Sequence, residues 1–233
     1  MTPVVPTTCV VLAGGLGTRL RSAVADLPKC LAPVGSRSFL DVQIEALARA
    51  GVADVVLSLG YLSDKVIAAM ANTPPALPVR HVVERELLGT GGAIAHVLDT
   101  LGLEEVLVAN GDTYLDGDIA AMLQPLNGAD GELFRMAAVS VPDRARFGGI
   151  EVDASGWVIR FRDKGEAGAG LINAGLYRLC RAALPAGGRF SLESSVLPAL
   201  AAARKVRSAL IDGEFIDIGV PSDYFLFCQK HAR

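Results

Sequence analysis

Residues 7–20 read TTCVVLAGGLGTRL, an apolar run that ends without a break in Gly14, Gly15 and Gly17, followed by Thr18 and Arg19. A short apolar and β-branched run closed by turn residues reads as a buried strand. Glycines at its carboxyl end expose backbone N–H groups and let an anion approach closely, and Arg19 adds positive charge there. In an open parallel sheet ligands bind at this kind of loop, so the stretch predicts both a fold and the end of the sheet that carries function.

Outward from this strand, the first 112 residues alternate two periods. Helical patterns at 38–51 (SFLDVQIEALARAG), 62–71 and 91–102 separate strand-like runs at 53–60 (ADVVLSLG), 78–84 and 104–112. Nearly all-apolar strands separated by amphipathic helices imply a parallel sheet covered on both faces. After Asp112 the texture changes. Closely spaced strand signals occupy 133–141, 148–153, 157–163 and 171–179, broken by DASG and KGEAGAG turns, and read as antiparallel additions to the same sheet. A helix at 192–204, a strand pair near 206–217 and a helix from about 221 follow. The expected fold is α/β: a Rossmann-like three-layer α/β/α sandwich with a mixed, mainly parallel sheet. Without a long Pro/Gly/Ser linker, residues 1–233 read as one domain with halves of about 1–112 and 113–233.

Composition narrows the function. The chain has 233 residues, 51% of them hydrophobic, enough for a sizeable core. Its 22 basic and 25 acidic residues leave a net charge of −3, which argues against a nucleic-acid partner and for any phosphate being held locally. Cys9, Cys30, Cys180 and Cys228 lack metal-ligand spacing and read as thiols of a reducing compartment. There is no signal-like segment and no apolar run of about 18 residues, as a membrane span needs. The expectation is a soluble cytoplasmic protein with no membrane partner.

The spacing of the opening loop excludes two common nucleotide loops. A P-loop needs a lysine followed by Ser or Thr after its last glycine, and that pair is absent; a dinucleotide fingerprint needs a third glycine where Leu20 stands. What remains is GGxGTRL followed by DLPKCLAPV (26–34), then LGTGGA (88–93), NGD (110–112), FGGIEVD (147–153), FRDKG (161–165), INAGLY (172–177) and FIDIGVPSDY (215–224). With these motifs in this order, the whole chain resembles the sugar-phosphate nucleotidyltransferase family. Its members join a nucleoside triphosphate to a sugar 1-phosphate and release pyrophosphate.

The resemblance implies that Leu12, Ala13, Gly14, Gly15, Gly17, Thr18 and Arg19 hold the triphosphate and that Lys29 reaches the α-phosphate. Arg19, Lys29 and Asp112 are the implied catalytic set, and Asp112 with Asp217 the implied Mg2+ ligands. Magnesium suits them, since it takes one or two carboxylates and completes its shell with phosphate oxygens and water. Outside this frame Lys29 is a surface lysine, and each aspartate a turn former or helix cap. The implied sugar-phosphate set is Gly148, Asp163, Lys164, Asn173 and Glu193. Asp163 and Gly165 depart from the family's E-K-P pattern around Lys164. Asn173 also reads as a strand-end turn residue and Glu193 as a first-turn carboxylate after Ser191.

Glu84, five residues before Gly89, is placed to meet the base as LGTGGA wraps it, with Gly89 and Thr90 in the implied nucleotide-binding set. A carboxylate can accept guanine N1–H and N2–H together, whereas uracil and thymine offer one N–H between two repelling carbonyls. Glu84, Arg85 and Glu86 also read as a solvated charge run. Within the family the chain looks most like the D-glycero-α-D-manno-heptose 1-phosphate guanylyltransferases, with GTP and a heptose 1-phosphate as implied substrates. Mannose 1-phosphate guanylyltransferases and N-acetylmuramate 1-phosphate uridylyltransferases are the alternatives. A non-catalytic nucleotide-sugar sensor should lack a phosphate-handling or metal residue, and Arg19, Lys29, Asp112 and Asp217 are all present. Cys30 lacks a base to activate it, and His81, His96 and His231 share no spacing, so none is assigned a catalytic role. Apolar runs at 195–203 and 225–233 suit a homodimer patch or core packing equally.

Overall fold

The computed structural model describes residues 7–15 and 27–232. At its centre is β1 (Thr8–Leu12), whose Cys9, Val10 and Val11 are fully buried. It pairs in parallel with β4 (Asp54–Leu59) on one edge and β6 (Glu105–Asn110) on the other, and β5 (Val79–Val83) adds in parallel beyond β4. Alternate side chains of these strands feed two separate cores, as the pleat requires. Cys9, Val11 and Leu57 join Leu40 and Ile44 of α1 (Phe39–Ala50) and Val66 of α2 (Ser63–Asn72). Val10, Val56 and Val108 join Ile94 and Leu98 of α3 (Gly89–Leu101) on the opposite face. The three layers are those expected.

Local signals set the helix ends. Ser38 Oγ accepts from the Asp41 N–H while the Asp41 carboxylate accepts from the Ser38 N–H, a capping box worth about 1 kcal/mol. Gly51, at φ 98°, closes α1 in the left-handed region. A two-residue hairpin, β2 (Pro33–Val34) with β3 (Arg37–Ser38), precedes this helix.

The later strands extend the same sheet. β11 (Gly170–Cys180) runs antiparallel to β6 over Leu176–Cys180 and carries β8 (Phe134–Val141) on its other edge. β9 (Gly149–Val152) and β10 (Val158–Arg162) complete an order β10-β9-β11-β6-β1-β4-β5. The strand pair expected near 206–217 does not form. β12 (Val206–Leu210) lies parallel to β8, and the Ile211 N–H still donates to the Ala138 carbonyl before the chain leaves that edge. β13 (Gly213–Asp217) instead pairs antiparallel with β7 (Thr113–Gly117), a strand whose sequence TYLDG lacks an apolar alternation. The helix expected at 192–204 opens with a π-helical turn, Leu192–Val196, before α5 (Leu197–Ala202), where Pro198 lacks the N–H of a regular ladder. Between β7 and β8 lies the one-turn α4 (Ala120–Leu123).

The final helix, α6 (Pro221–His231), buries Tyr224 and Phe227 against Phe39, Val42 and Tyr114, leaving Phe225 and Leu226 exposed. His231 stacks on Phe227 at 4.3 Å and meets the Tyr114 ring edge-on at 5.0 Å. Burial holds its pKa below the usual histidine value, with Asp116 and Glu214 opposing that shift and Lys230 and Arg37 adding to it. A depressed histidine pKa means the unfolded chain binds the proton first. Its contribution is complete above about pH 6.5 and is lost as pH falls through the folded-state value. H231F is therefore expected to flatten the acid-side decline of Tm below about pH 6.5, measured by thermal scans between pH 5 and 8.

Candidate active site

A cavity of about 540 Å³ opens at the carboxyl ends of the parallel strands. Leu12, Ala13, Gly14 and Gly15 line it from β1, Glu84 from the end of β5, and Gly89 and Thr90 from the start of α3. Lys29, Asp112 and Glu193 complete the residues expected from sequence that meet there. Gly17, Thr18 and Arg19 lie outside the described residues.

Lys29 follows the buried Pro28 in a tight 3₁₀ turn, and its side chain is only 12% exposed. Its ammonium donates to Asp112 Oδ2 at 2.6 Å and stands 3.9 Å from Asp217 Oδ1. The β7–β13 ladder sets Thr113 opposite Asp217, which brings the second carboxylate to the first from a distant part of the chain. Gly219 then donates its N–H to Asp217 Oδ1 at 2.7 Å. A Cβ at Gly219 would crowd Lys29 Nζ and Asp217 Oδ1, so a side chain there would push the ammonium and the carboxylate out of this arrangement. Cys30 touches the same cavity, but burial pushes its thiol up to about 12, which leaves it protonated and a poor nucleophile.

Glu84 is anchored, not solvated at random. Its N–H donates to the Leu59 carbonyl at 2.8 Å, and its Oε2 accepts from the Leu88 N–H at 3.0 Å. The other carboxylate oxygen faces the backbone of Gly14 and Gly60 beside the cavity. At α3 the Thr90 hydroxyl donates to Glu193 Oε2 at 2.6 Å and accepts from the Leu192 N–H at 2.9 Å. Glu193 is also held by the Ser191 hydroxyl at 3.0 Å.

The glycines of LGTGGA serve this junction. The Phe190 carbonyl accepts from the N–H groups of Gly91 and Gly92 at 3.1 and 3.2 Å. A Cβ on Gly91 would lie 2.5 Å from the Phe190 ring, and one on Gly92 2.6 Å from the Gly188 carbonyl oxygen. These glycines admit the strap 188–192, whose Arg189 lines the cavity without an ion-pair partner among the described residues. Arg189 was not singled out from sequence: an arginine after two glycines has no spacing that marks it.

The sugar-phosphate set is less convergent. Glu193 alone lines the cavity. Asn173 is engaged within β11: its Nδ2 donates to the Tyr177 hydroxyl at 2.7 Å and its Oδ1 accepts from the Gly175 N–H at 2.9 Å. Burial, then the Glu193 charge, pushes the Tyr177 phenol up and keeps it protonated. Gly148, at φ 75°, packs against the carbonyl of Arg162 next to Asp163 and Lys164, both exposed on the turn after β10. These three form a group of their own, outside the lining of the 540 Å³ cavity.

The description "Nucleotidyl transferase" belongs to the family model that matches residues 8–231. The chain belongs to this family. It is 35% identical to the D-glycero-alpha-D-manno-heptose 1-phosphate guanylyltransferase of Campylobacter jejuni, over 94% of this chain and 97% of that one. The guanylyltransferase of the same description from Aneurinibacillus thermoaerophilus is 33% identical, over 92% and 94%. The mannose-1-phosphate guanylyltransferase of Mycobacterium tuberculosis is 34% identical over 92% of this chain, but over only 62% of its own length. Among solved structures, HddC from Yersinia pseudotuberculosis superposes with a TM-score of 0.86 at 33% identity, covering 96% of this chain and 99% of the other. HddC has also been crystallised with GMP-PN. Like these nucleotidyl transferases, the chain is a mixed, mainly parallel α/β protein and an enzyme of the transferase class. Among its described residues no helix is long and apolar enough to cross a membrane.

In this nucleotidyl transferase, G92A is expected to displace the strap from α3, because the obstructing atom is backbone. Urea unfolding should show a loss of about 1–3 kcal/mol, and C30A, by contrast, should leave turnover at the parental level.

Proposed function

We propose that the chain transfers the guanylyl group of GTP to D-glycero-α-D-manno-heptose 1-phosphate, giving GDP-heptose and pyrophosphate. The reading rests on similarity to two heptose 1-phosphate guanylyltransferases, 35% and 33% identical over 94% and 92% of this chain. The anchored Glu84 supports guanine: carboxylate oxygens at the cavity can accept N1–H and N2–H together, whereas uracil sets one N–H between two carbonyls. We take residues 1–233 as one domain, with nucleotide bound by residues 1–112 and sugar phosphate by 113–233. A GTP-consuming reaction belongs in the cytoplasm, which suits the four free thiols.

In the reaction a phosphate oxygen of the sugar 1-phosphate attacks the α-phosphorus of GTP. The α–β phosphoanhydride bond breaks, and pyrophosphate leaves with that electron pair. The nucleophile is already ionised at neutral pH, so positioning and charge matter more than a base. Lys29, held almost out of solvent, meets negative charge as it builds on the α-phosphate. Arg19, Gly14, Gly15, Gly17 and Thr18 hold the triphosphate and the departing pyrophosphate. Gly89 and Thr90 stay with the nucleotide; Glu193, which accepts from the Thr90 hydroxyl, faces the sugar, and Arg189 adds a cation to that wall. Gly148, Asp163, Lys164 and Asn173 complete the sugar-phosphate side.

Asp112 and Asp217 fit magnesium. Two carboxylates converge on one cation, the Lys29 ammonium, and no group of three or more His, Cys, Asp or Glu among the described residues offers a richer or softer site. When bound, magnesium neutralises the phosphates that must approach each other.

Purified protein assayed for pyrophosphate release with GTP, ATP, UTP and dTTP, each against heptose, mannose and N-acetylmuramate 1-phosphates, tests the reading. GTP with the heptose should give the highest kcat/KM. Absence of turnover with GTP would overturn the guanine assignment, and a mannose preference the sugar assignment. E84Q should lower kcat/KM for GTP by about tenfold or more, and K29M should lower kcat by about a hundredfold or more while the circular dichroism stays parental.

A further inference from the structure

Gln43 lies in the middle of α1 on the face that buries Leu40, Ile44 and Leu47, and it is 5% exposed. A leucine there would complete an apolar stripe; a buried carboxamide is costly unless its hydrogen bonds are made. Gln43 uses both of its N–H bonds on one target. Nε2 donates to the Asn110 carbonyl at 2.8 Å and to the Thr113 carbonyl at 2.9 Å. Two carbonyl acceptors fix the carboxamide's orientation, since its oxygen cannot donate to either. Oε1 is buried and has no partner among the described residues, and the residue lines a second cavity of about 320 Å³.

The two carbonyls flank Gly111 and Asp112, so Gln43 grips both ends of the turn that carries the carboxylate. The same turn is held by the Gly111 N–H on the Leu12 carbonyl at 3.1 Å and by the Asp112 carbonyl accepting from Ile218 at 3.0 Å. Gln43 supplies the hold from the helix layer. Because Thr113 pairs with Asp217, the grip on Thr113 also fixes the strand against which the second carboxylate is registered.

We infer that Gln43 is a positioning residue for Asp112: from outside the cavity it sets the backbone that aims this carboxylate at Lys29 and the cation site. The inference rests on the reading of Asp112 as a working residue of the transfer reaction. A carboxylate freed to swing should lose reaction rate and cation affinity together, without losing substrate affinity.

The test compares Q43L, which keeps the volume and removes the donor, with Q43M, D112N and Q43L/D112N. Four properties are read: Tm, KM for GTP and sugar phosphate, kcat, and Mn2+ binding to the protein followed by electron paramagnetic resonance. Q43L and Q43M should fold, keep both KM values within about threefold, and lose about 10- to 100-fold in kcat and in Mn2+ affinity. The double variant should match D112N alone, because a residue that acts through Asp112 has nothing left to position. Parental kcat and Mn2+ affinity in Q43L or Q43M would overturn the inference, as would additive losses in the double variant. Loss of the fold in both Q43L and Q43M would also overturn it, making Gln43 a packing residue. Full activity in D112N would instead remove Asp112 from the mechanism, a failure separate from that of Gln43.

Discussion

β1 is hydrogen-bonded along both edges to parallel neighbours, with Leu12 opposite Ser58 on one side and Asn110 on the other. That register, with Leu59 opposite Val83 of β5, ends four strands at one level. Beyond it the chain keeps making cross-strand bonds: Ala13 N–H to the Ser58 carbonyl at 2.9 Å and Gly111 N–H to the Leu12 carbonyl at 3.1 Å. The glycine loop, Glu84 and Asp112 therefore stand side by side because the strands beneath them are in step. A slip of one residue in β1 would exchange its two buried faces and separate these groups at once, which makes the register strongly specified.

The electrostatics of the site rest on a second strand pairing. Two carboxylates brought together repel unless a cation stands between them, and a lysine almost out of solvent needs an anion. Lys29, Asp112 and Asp217 meet both conditions mutually, and the backbone N–H of Gly219 shares the charge of Asp217. On the proposed reaction, phosphate oxygens would take the place of a carboxylate at Lys29, and Asp112 and Asp217 would be the residues that hold the divalent cation. Lys29 and the two aspartates compensate one another's charge, so binding would exchange partners and leave no charge unpaired.

The sheet and its helices were legible in the chain because each parallel strand is buried on both faces and each covering helix carries its own stop and start residues, such as Ser38 and Gly51. The cavity-lining residues Leu12 to Gly15, Glu84 and Asp112 were legible for the same reason: they follow directly from strand ends. What escaped depends on long-range pairing. β7 is short and polar, and its partner β13 was expected to pair with β12, since local turn chemistry specifies a reversal but not the edge that is met afterwards. Gln43 and Arg189 belong to this class. One looks like a flaw in an apolar helix face and the other like a loop arginine until the fold shows what each lies against.

The LGTGGA motif shows how far composition can mislead about chemistry. Three glycines at a helix start suggest an anion cradle, built from backbone N–H groups and the helix dipole. Here two of those N–H groups are already taken by the Phe190 carbonyl, and the missing side chains make room for Gly188 and Phe190. The glycines serve contact between chain segments, and through that contact they bring Arg189 and Glu193 to the cavity wall. On the proposed reaction, phosphate binding falls to the other glycine loop, at Gly14 and Gly15, and to Lys29. The two glycine-rich segments, alike in composition, differ in use: Gly14 and Gly15 line the cavity, and Gly91 and Gly92 give their backbone N–H groups to the strap on its opposite side.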